Sequence, residues 1–245
     1  MKSTRLLAAT AAASLAIVSL AGCSSDGTSS QSIRVLAAAS LVDVLRPMVS
    51  AYAKEHPGAK VQVDTGASSA LVQKLTSGAK GDVLITADEK TMTKAVDGKV
   101  AHDPRVVATN RLVIVVPKGN PGKVTGVKYF TEPGSRAVIC AREVPCGAAA
   151  EKAIAAIGGT PHPISRAVDV RAALASVTSG EADAALVYAT DAASAGDRVE
   201  TIAIPDAPVN RYPAAALTDD GKAFVDLLAG PEGQRIFREA GFGAP

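Results

Sequence analysis

Apolar runs typical of strands alternate along this chain with runs whose apolar residues recur at helical spacing. The first unit is IRVLAAASLVDVL, in which a strand at 33–37 is followed, after Ser40, by a helical pattern. Similar units recur as far as a closing segment at 220–242 that predicts one or two helices. Because strands that alternate with helices usually pair in parallel, the pattern predicts an α/β protein.

The N-terminal segment has the composition of an export signal. MKSTR is basic, an apolar run follows, and LAGC ends the segment at Cys23. This ending resembles the bacterial lipobox, whose cysteine receives lipid and becomes the first mature residue. We therefore predict a lipoprotein signal at 1–23, lipidation of Cys23 and a polar tether at 24–32. The alternatives are a secretory signal with an incidental cysteine and an uncleaved anchor.

The charge balance argues against a surface that binds polyanions. The chain contains 26 Lys and Arg and 24 Asp and Glu, and two of the basic residues, Lys2 and Arg5, lie in the predicted signal. The mature chain would then have 24 of each sign and no formal net charge. We therefore predict no nucleic-acid partner. A small anion would have to be held by local dipoles.

At two further places, a pair of cysteines and a proline, the residues alone allow more than one outcome. Cys140 and Cys146 lie six residues apart in a chain predicted to be exported, so they could form a disulfide or remain two buried thiols. Pro47 lies within the first helical pattern. Because proline lacks an N–H and crowds the preceding turn, it is expected to kink or split that helix.

Five short motifs occur in an order that is similar to a known family. They are AAASL at 37–41, GASSAL at 66–71, GDVLITAD at 81–88, VRAAL at 170–174 and LVYATDA at 186–192. In this order the chain resembles the molybdate-binding proteins of ABC import systems, in their lipid-anchored form. The resemblance covers nearly all of 33–242 and implies a protein that delivers its ligand to an ABC permease and its ATPase.

The resemblance implies a two-lobed periplasmic-binding-protein fold of type II. Such a fold has mixed sheets with helices on both faces, and its ligand lies in the cleft between the lobes. The implied first lobe comprises 33–109 and 212–245, and the second comprises 110–211. The protein would act as a monomer, anchored by lipid on the extracytoplasmic face of the cell membrane.

The resemblance also implies a ligand shell of five residues. Ser40 and Ser68 would supply hydroxyl and backbone N–H donors, Cys146 and Val170 would supply backbone N–H donors, and Tyr188 would supply its phenol. Four of these positions precede or open helical patterns, where backbone N–H groups lack intrahelical acceptors and attract anions. Taken singly, each residue also has an ordinary structural role, and Ser40 in particular is a favoured N-cap.

The implied ligand is molybdate or tungstate, with sulfate as the alternative oxyanion. No cofactor is expected, and molybdenum would be bound only as its oxyanion. A hydrolase that uses Ser40 or Ser68 is disfavoured, because all three histidines lie in proline-containing loops and the chain lacks a Gly-x-Ser-x-Gly motif. Metal-ligand spacings are absent from the sequence as well. Asp43, close to Ser40, is expected to face away from the ligand or to support the cap.

Overall fold

The structure is a computed structural model that describes residues 32–245. The predicted signal, the lipidation site Cys23 and the tether up to residue 31 lie outside the described residues. Ser32, the last residue of the predicted tether, is instead the first residue of a strand. Within 32–245, no helix is both long and apolar enough to cross a membrane.

The described chain forms nine strands and eight α-helices that alternate over most of its length. The strands are β1 (Ser32–Ala38), β2 (Lys60–Gly66), β3 (Val83–Ile85), β4 (Arg105–Pro117), β5 (Ala137–Cys140), β6 (Ser165–Ala167), β7 (Ala184–Tyr188), β8 (Val199–Ala203) and β9 (Val209–Ala216). The helices are α1 (Val42–Glu55), α2 (Ser68–Thr76), α3 (Glu89–Asp97), α4 (Pro145–Ala156), α5 (Val170–Thr178), α6 (Ala189–Ala195), α7 (Lys222–Ala229) and α8 (Pro231–Glu239). The alternation read from the sequence is confirmed.

The sheet is mixed, with the strand order β2-β1-β3-β9-β4-β7-β5-β6, and β8 pairs with β4. β1 is parallel to β2 and β3, and β5 is parallel to β6 and β7, whereas β8 and β9 run antiparallel to their partners. We call β2, β1, β3 and β9 the first half of the sheet, and β7, β5, β6 and β8 the second half. Parallel strands joined by helices place the strand ends and helix starts of each half at one edge.

β4 is the strand that connects the two halves. It pairs with β9 from Arg105 to Arg111 and with β7 from Leu112 to Val115. Its second part is buried on both faces, as the continuous apolar run there predicts. The C-terminus returns to the same strand, because Gly243 forms an isolated antiparallel bridge with Thr109. The exact lobe ranges 33–109 with 212–245, and 110–211, stay predictions.

Pro47 does not split the first helix. α1 is continuous from Val42 to Glu55 with the proline inside it. The helix buries Val44, Leu45 and Met48 against the sheet, and this packing holds the backbone through the missing hydrogen bond. Of the two expected outcomes, the split at Pro47 is therefore wrong, since tertiary packing outweighs the local cost of proline, and the kink stays a prediction.

Cys140 and Cys146 form a disulfide. The bridge joins the end of β5 to the first turn of α4. The two elements approach closely here, since a Cβ added to Gly147 would lie 1.8 Å from the carbonyl oxygen of Ala141. Glycine is thus required where the helix begins against the strand end. The disulfide alternative is confirmed over the two thiols.

We expect the mature protein to show no free thiol from Cys140 or Cys146 when it is unfolded without reductant. Replacing both residues with alanine should lower the free energy of unfolding by about 2 to 3 kcal/mol, because a short loop loses its covalent closure. Thiol titration and urea unfolding measure the two effects. Two titratable thiols before reduction would contradict the bridge.

Candidate functional site

A small cavity lies where the two halves of the sheet meet. The volume in which the centre of a water molecule can lie is about 20 Å³, little more than one water molecule requires. All five residues of the predicted shell line it. The complete lining is Ala38, Ala39, Ser40, Gly66, Ala67, Ser68, Ala87, Val144, Pro145, Cys146, Asp169, Val170 and Tyr188. Residues far apart in the sequence are therefore brought together around one small space.

The cavity is surrounded by the starts of helical segments. Ser68 is the first residue of α2, Val170 is the first residue of α5, and Cys146 follows Pro145 at the start of α4. Ser40 lies in a 3₁₀ turn, Ala39–Leu41, that leads into α1. Backbone N–H groups in a first helical turn have no intrahelical acceptor, so these positions supply donors and positive dipole ends. Because proline has no N–H, Cys146 is the first donor of α4.

Two hydroxyls on opposite sides of the cavity are oriented by one hydrogen-bonded network. The backbone N–H of Ala87 donates to Oγ of Ser68 at 3.0 Å. The amide of Asn210 donates to the carbonyl oxygen of Ala87 at 2.8 Å and to the phenol oxygen of Tyr188 at 2.9 Å. Because both hydroxyl oxygens already accept a hydrogen bond from the protein, their protons are left to donate elsewhere. The network therefore favours Ser68 and Tyr188 as donors.

The hydroxyl of Ser40 is hydrogen-bonded to a buried phenol that does not line the cavity. Its Oγ lies 2.9 Å from the phenol oxygen of Tyr212. Burial raises the pKa of Tyr212 far above its usual value, and burial likewise raises the pKa of Tyr188 well above the usual value. Both phenols therefore keep their protons at neutral pH and stay hydrogen-bond donors.

The cavity lacks a countercharge among its described lining residues, none of which is lysine or arginine. Asp169 is the one ionisable acid in that lining, and its Oδ1 accepts a hydrogen bond of 2.9 Å from the N–H of Ala172. It thus caps α5. A cavity that is lined by converging donors, and by no basic side chain, can hold a small anion through dipoles.

Sequence reasoning missed the residues behind the cavity. Asn210 and Tyr212 lie on β9, and Asn110, their neighbour on β4, donates from its amide to Oγ1 of Thr190 at 2.8 Å. All three are buried. The one available signal was the occurrence of asparagines in two apolar strands, because a buried amide needs a hydrogen-bonding partner.

Asp43 faces away from the cavity, as expected, and forms an ion pair with Arg171. Arg171 also places its Nε 3.5 Å from Oδ1 of Asp191, which is only 1% exposed. Burial raises the pKa of Asp191 to about 7, and the charge of Arg171 opposes part of this rise.

The arrangement does not support the alternative of a hydrolase. None of the three histidines lines the cavity with Ser40 or Ser68, so neither serine there has an imidazole base beside it among the described residues. In residues 32–245, no cluster of three or more His, Cys, Asp or Glu side chains could hold a metal ion.

The whole described fold and cavity define a protein of the solute-binding class. The chain belongs to the family of bacterial extracellular solute-binding proteins, whose model matches residues 33–243. Membership of this family confirms that the chain is a binding protein and not an enzyme.

Two relatives match nearly the full length. The molybdate-binding protein ModA of Mycobacterium tuberculosis is 36% identical over 223 residues, an alignment that covers 88% of this chain and 85% of ModA. The putative ABC transporter substrate-binding lipoprotein YvgL of Bacillus subtilis is 30% identical over 251 residues, with 95% of this chain and 96% of YvgL covered.

Solved structures confirm the two-lobed binding-protein fold. The periplasmic molybdate-binding protein of Azotobacter vinelandii superposes with a TM-score of 0.74 at 21% identity, covering 87% of this chain and 99% of that one. The sulfate-binding protein SubI of Mycobacterium tuberculosis gives 0.76 at 17% identity, with 86% of each chain covered. At these identities the likeness concerns the fold alone.

We expect Asp191→Asn to change how stability depends on pH. In the folded protein Asp191 keeps its proton up to about pH 7, whereas in the unfolded chain it loses it near its ordinary pKa of 3.8. The folded state therefore binds more protons between these values, so this group makes wild-type stability fall as pH rises from about 4 to about 7. The variant should lack this loss, which is on the order of a few kcal/mol.

Urea unfolding at pH 5 and pH 8 measures this difference. Asp197→Asn, which changes an exposed carboxylate beyond the end of α6, is the matched control and should follow the wild type. An equal fall between pH 5 and pH 8 in wild type and Asp191→Asn would contradict the raised pKa.

Proposed function

We propose that this protein captures molybdate or tungstate and delivers the bound anion to an ABC permease, which is driven by its ATPase. The observation that supports this most is the small cavity whose lining offers converging N–H and O–H donors and no basic side chain. The ModA relative, named for molybdate binding, supports the choice of anion. Molybdenum is bound as its oxyanion, without a separate metal site or cofactor.

The proposed shell combines three hydroxyls with backbone donors. Ser40, Ser68 and Tyr188 donate from side chains, while Cys146 and Val170 donate from the backbone, as does the main chain at the two serines. Hydrogen bonds to a charged group contribute about 1.5 to 3 kcal/mol each. About six or seven of them are enough for nanomolar affinity, about −12 kcal/mol, after the cost of closing the lobes is deducted.

Because the shell consists of hydrogen-bond donors, it favours tetrahedral anions that carry no proton. Molybdate and tungstate are fully deprotonated at neutral pH, so every oxygen can accept a hydrogen bond. Phosphate retains a proton and would need an acceptor, yet the oxygens of Ser68 and Tyr188 already accept from Ala87 and Asn210. The one carboxyl group in the lining, Asp169, is engaged in capping α5. Sulfate has the charge of molybdate and a smaller size, so it remains the alternative ligand.

We place the protein on the extracytoplasmic face of the cell membrane, held by lipid on Cys23. The LAGC sequence supports this proposal, and the YvgL relative is described as a lipoprotein. In this position a monomer could collect the anion and present it to the permease.

Molybdate or tungstate at millimolar concentration should raise the melting temperature of the protein by many degrees, and phosphate should do little. A ligand that binds the folded protein alone stabilises it by about 4 kcal/mol at a thousandfold excess over Kd. Tyr188→Phe should weaken binding by about ten- to a hundredfold, because it removes one charge-assisted donor. Calorimetric titration with molybdate, tungstate, sulfate and phosphate measures these affinities.

Tyr188→Phe is the cleaner test, since Asn210 keeps Ala87 as a partner, whereas Ser68→Ala also leaves the Ala87 N–H without its acceptor. Tyr129→Phe, which loses a hydrogen bond to Asp183 away from the cavity, and Lys94→Ala are the matched controls. Wild-type affinity in both Tyr188→Phe and Ser68→Ala would overturn the placement of the anion.

Cell-derived protein should partition into detergent, and Cys23→Ala should release or misprocess it. Mass spectrometry of the mature N-terminus checks the modification directly. An unmodified cysteine, or cleavage at another residue, would rule out the lipid anchor.

A further inference from the structure

Arg171 joins three helices outside the cavity. It is the second residue of α5, and its side chain is 24% exposed. Its Nη2 pairs with the carboxylate of Asp43 on α1, and its Nη1 donates to Oγ of Ser194 on α6 at 2.6 Å. Its Nε approaches Asp191, also on α6. A planar guanidinium with several donors can make such contacts in different directions at once.

Each of these three helices begins at a residue of the proposed anion shell or shortly after one. α1 follows the turn that contains Ser40, α5 begins with Val170, and α6 begins directly after Tyr188. The guanidinium therefore constrains the relative positions of three donors without lining the cavity itself.

The contact with Asp43 differs from the other two because it spans the halves of the sheet. α1 follows β1 in the first half, whereas α5 and α6 follow β6 and β7 in the second half. Ser194 and Asp191 thus fix Arg171 within its own half, and Asp43 attaches it to the opposite one. Arg171 does not line the cavity and its charge is paired with Asp43, so it does not act as a ligand for the anion.

We propose that Arg171 is a positioning residue that, through Asp43, holds the two halves closed over the bound anion. The proposal rests on the proposed function. Opening requires that the Asp43–Arg171 ion pair separate, so the pair slows the release of anion and hardly affects its capture. Ser194 pre-orients the guanidinium for this contact.

The test is a double-mutant cycle on the purified mature protein, with molybdate as the probe. Stopped-flow measurement should show that Asp43→Ala releases molybdate about two- to fivefold faster, the range of a partly exposed ion pair. The association rate constant of molybdate should change little in Asp43→Ala. Arg171→Ala should release molybdate at least as fast as Asp43→Ala does. The double variant should release it no faster than Arg171→Ala, because the Asp43–Arg171 ion pair is already lost in the single variant.

Asp43→Ala is the more reliable variant, since the Asp43 side chain is 63% exposed and its loss leaves no buried group unpaired. Arg46→Ala, one turn further along α1, is the matched control and should leave release unchanged. Added salt should speed release from wild type and not from Asp43→Ala, because a partly exposed pair is screened. A purely structural role for Asp43 would lower the stability of the anion-free protein without this salt dependence.

The outcomes separate the two proposals. If wild type binds molybdate tightly but Asp43→Ala releases it at the wild-type rate, the positioning role of Arg171 is wrong and the proposed function stands. The same holds if the two substitutions act additively on the release rate. If wild type binds none of molybdate, tungstate and sulfate, the proposed function is wrong, and so is the positioning role of Arg171.

Discussion

The antiparallel pairing of β4 with β9 is the constraint on which the remainder of the structure depends. Asn110 and Asn210 are register partners in this pair, and both are buried. A buried amide must find hydrogen-bond partners, and these two find them at Thr190, at Ala87 and at Tyr188. The strand pair thus fixes the end of β3 relative to the end of β7, and with them the two sides of the cavity.

This construction explains how an apolar interior can accept an anion without a cation. The donors are backbone groups and hydroxyls whose directions are set before any ligand arrives, so little reorganisation is needed on binding. An arginine or lysine in the cavity would carry a large desolvation cost whenever the site was empty. The cationic group of this region, Arg171, instead lies outside the cavity and is paired with Asp43.

The parts of the fold that local signals encode could be predicted from sequence. Alternating strand and helix patterns predicted the α/β class. Ser68 and Val170 each open a helix, and Cys146 lies in the first turn of one, as the helical patterns predict. The fate of Pro47 could not be read locally, because the packing of α1 against the sheet decides it. Tyr188 was predicted from the order of the five motifs, and not from a helix or strand pattern.

Long-range contacts were out of reach for the same reason. Ser40 meets Tyr212 across 172 residues, and Asp43 meets Arg171 across 128. No spacing rule connects such pairs, since their proximity follows from the topology of the sheet. The supporting shell of a site built from several helix starts is therefore harder to predict than its ligands.

The disulfide at the start of α4 links the cavity to the chemistry of the compartment. One wall donor, the N–H of Cys146, belongs to a residue that is covalently tied to the end of β5. Such bonds form outside the reducing cytoplasm. A family member that works outside the cell thus completes this wall after export, so synthesis of the chain and maturation of its cavity are separated in both space and time.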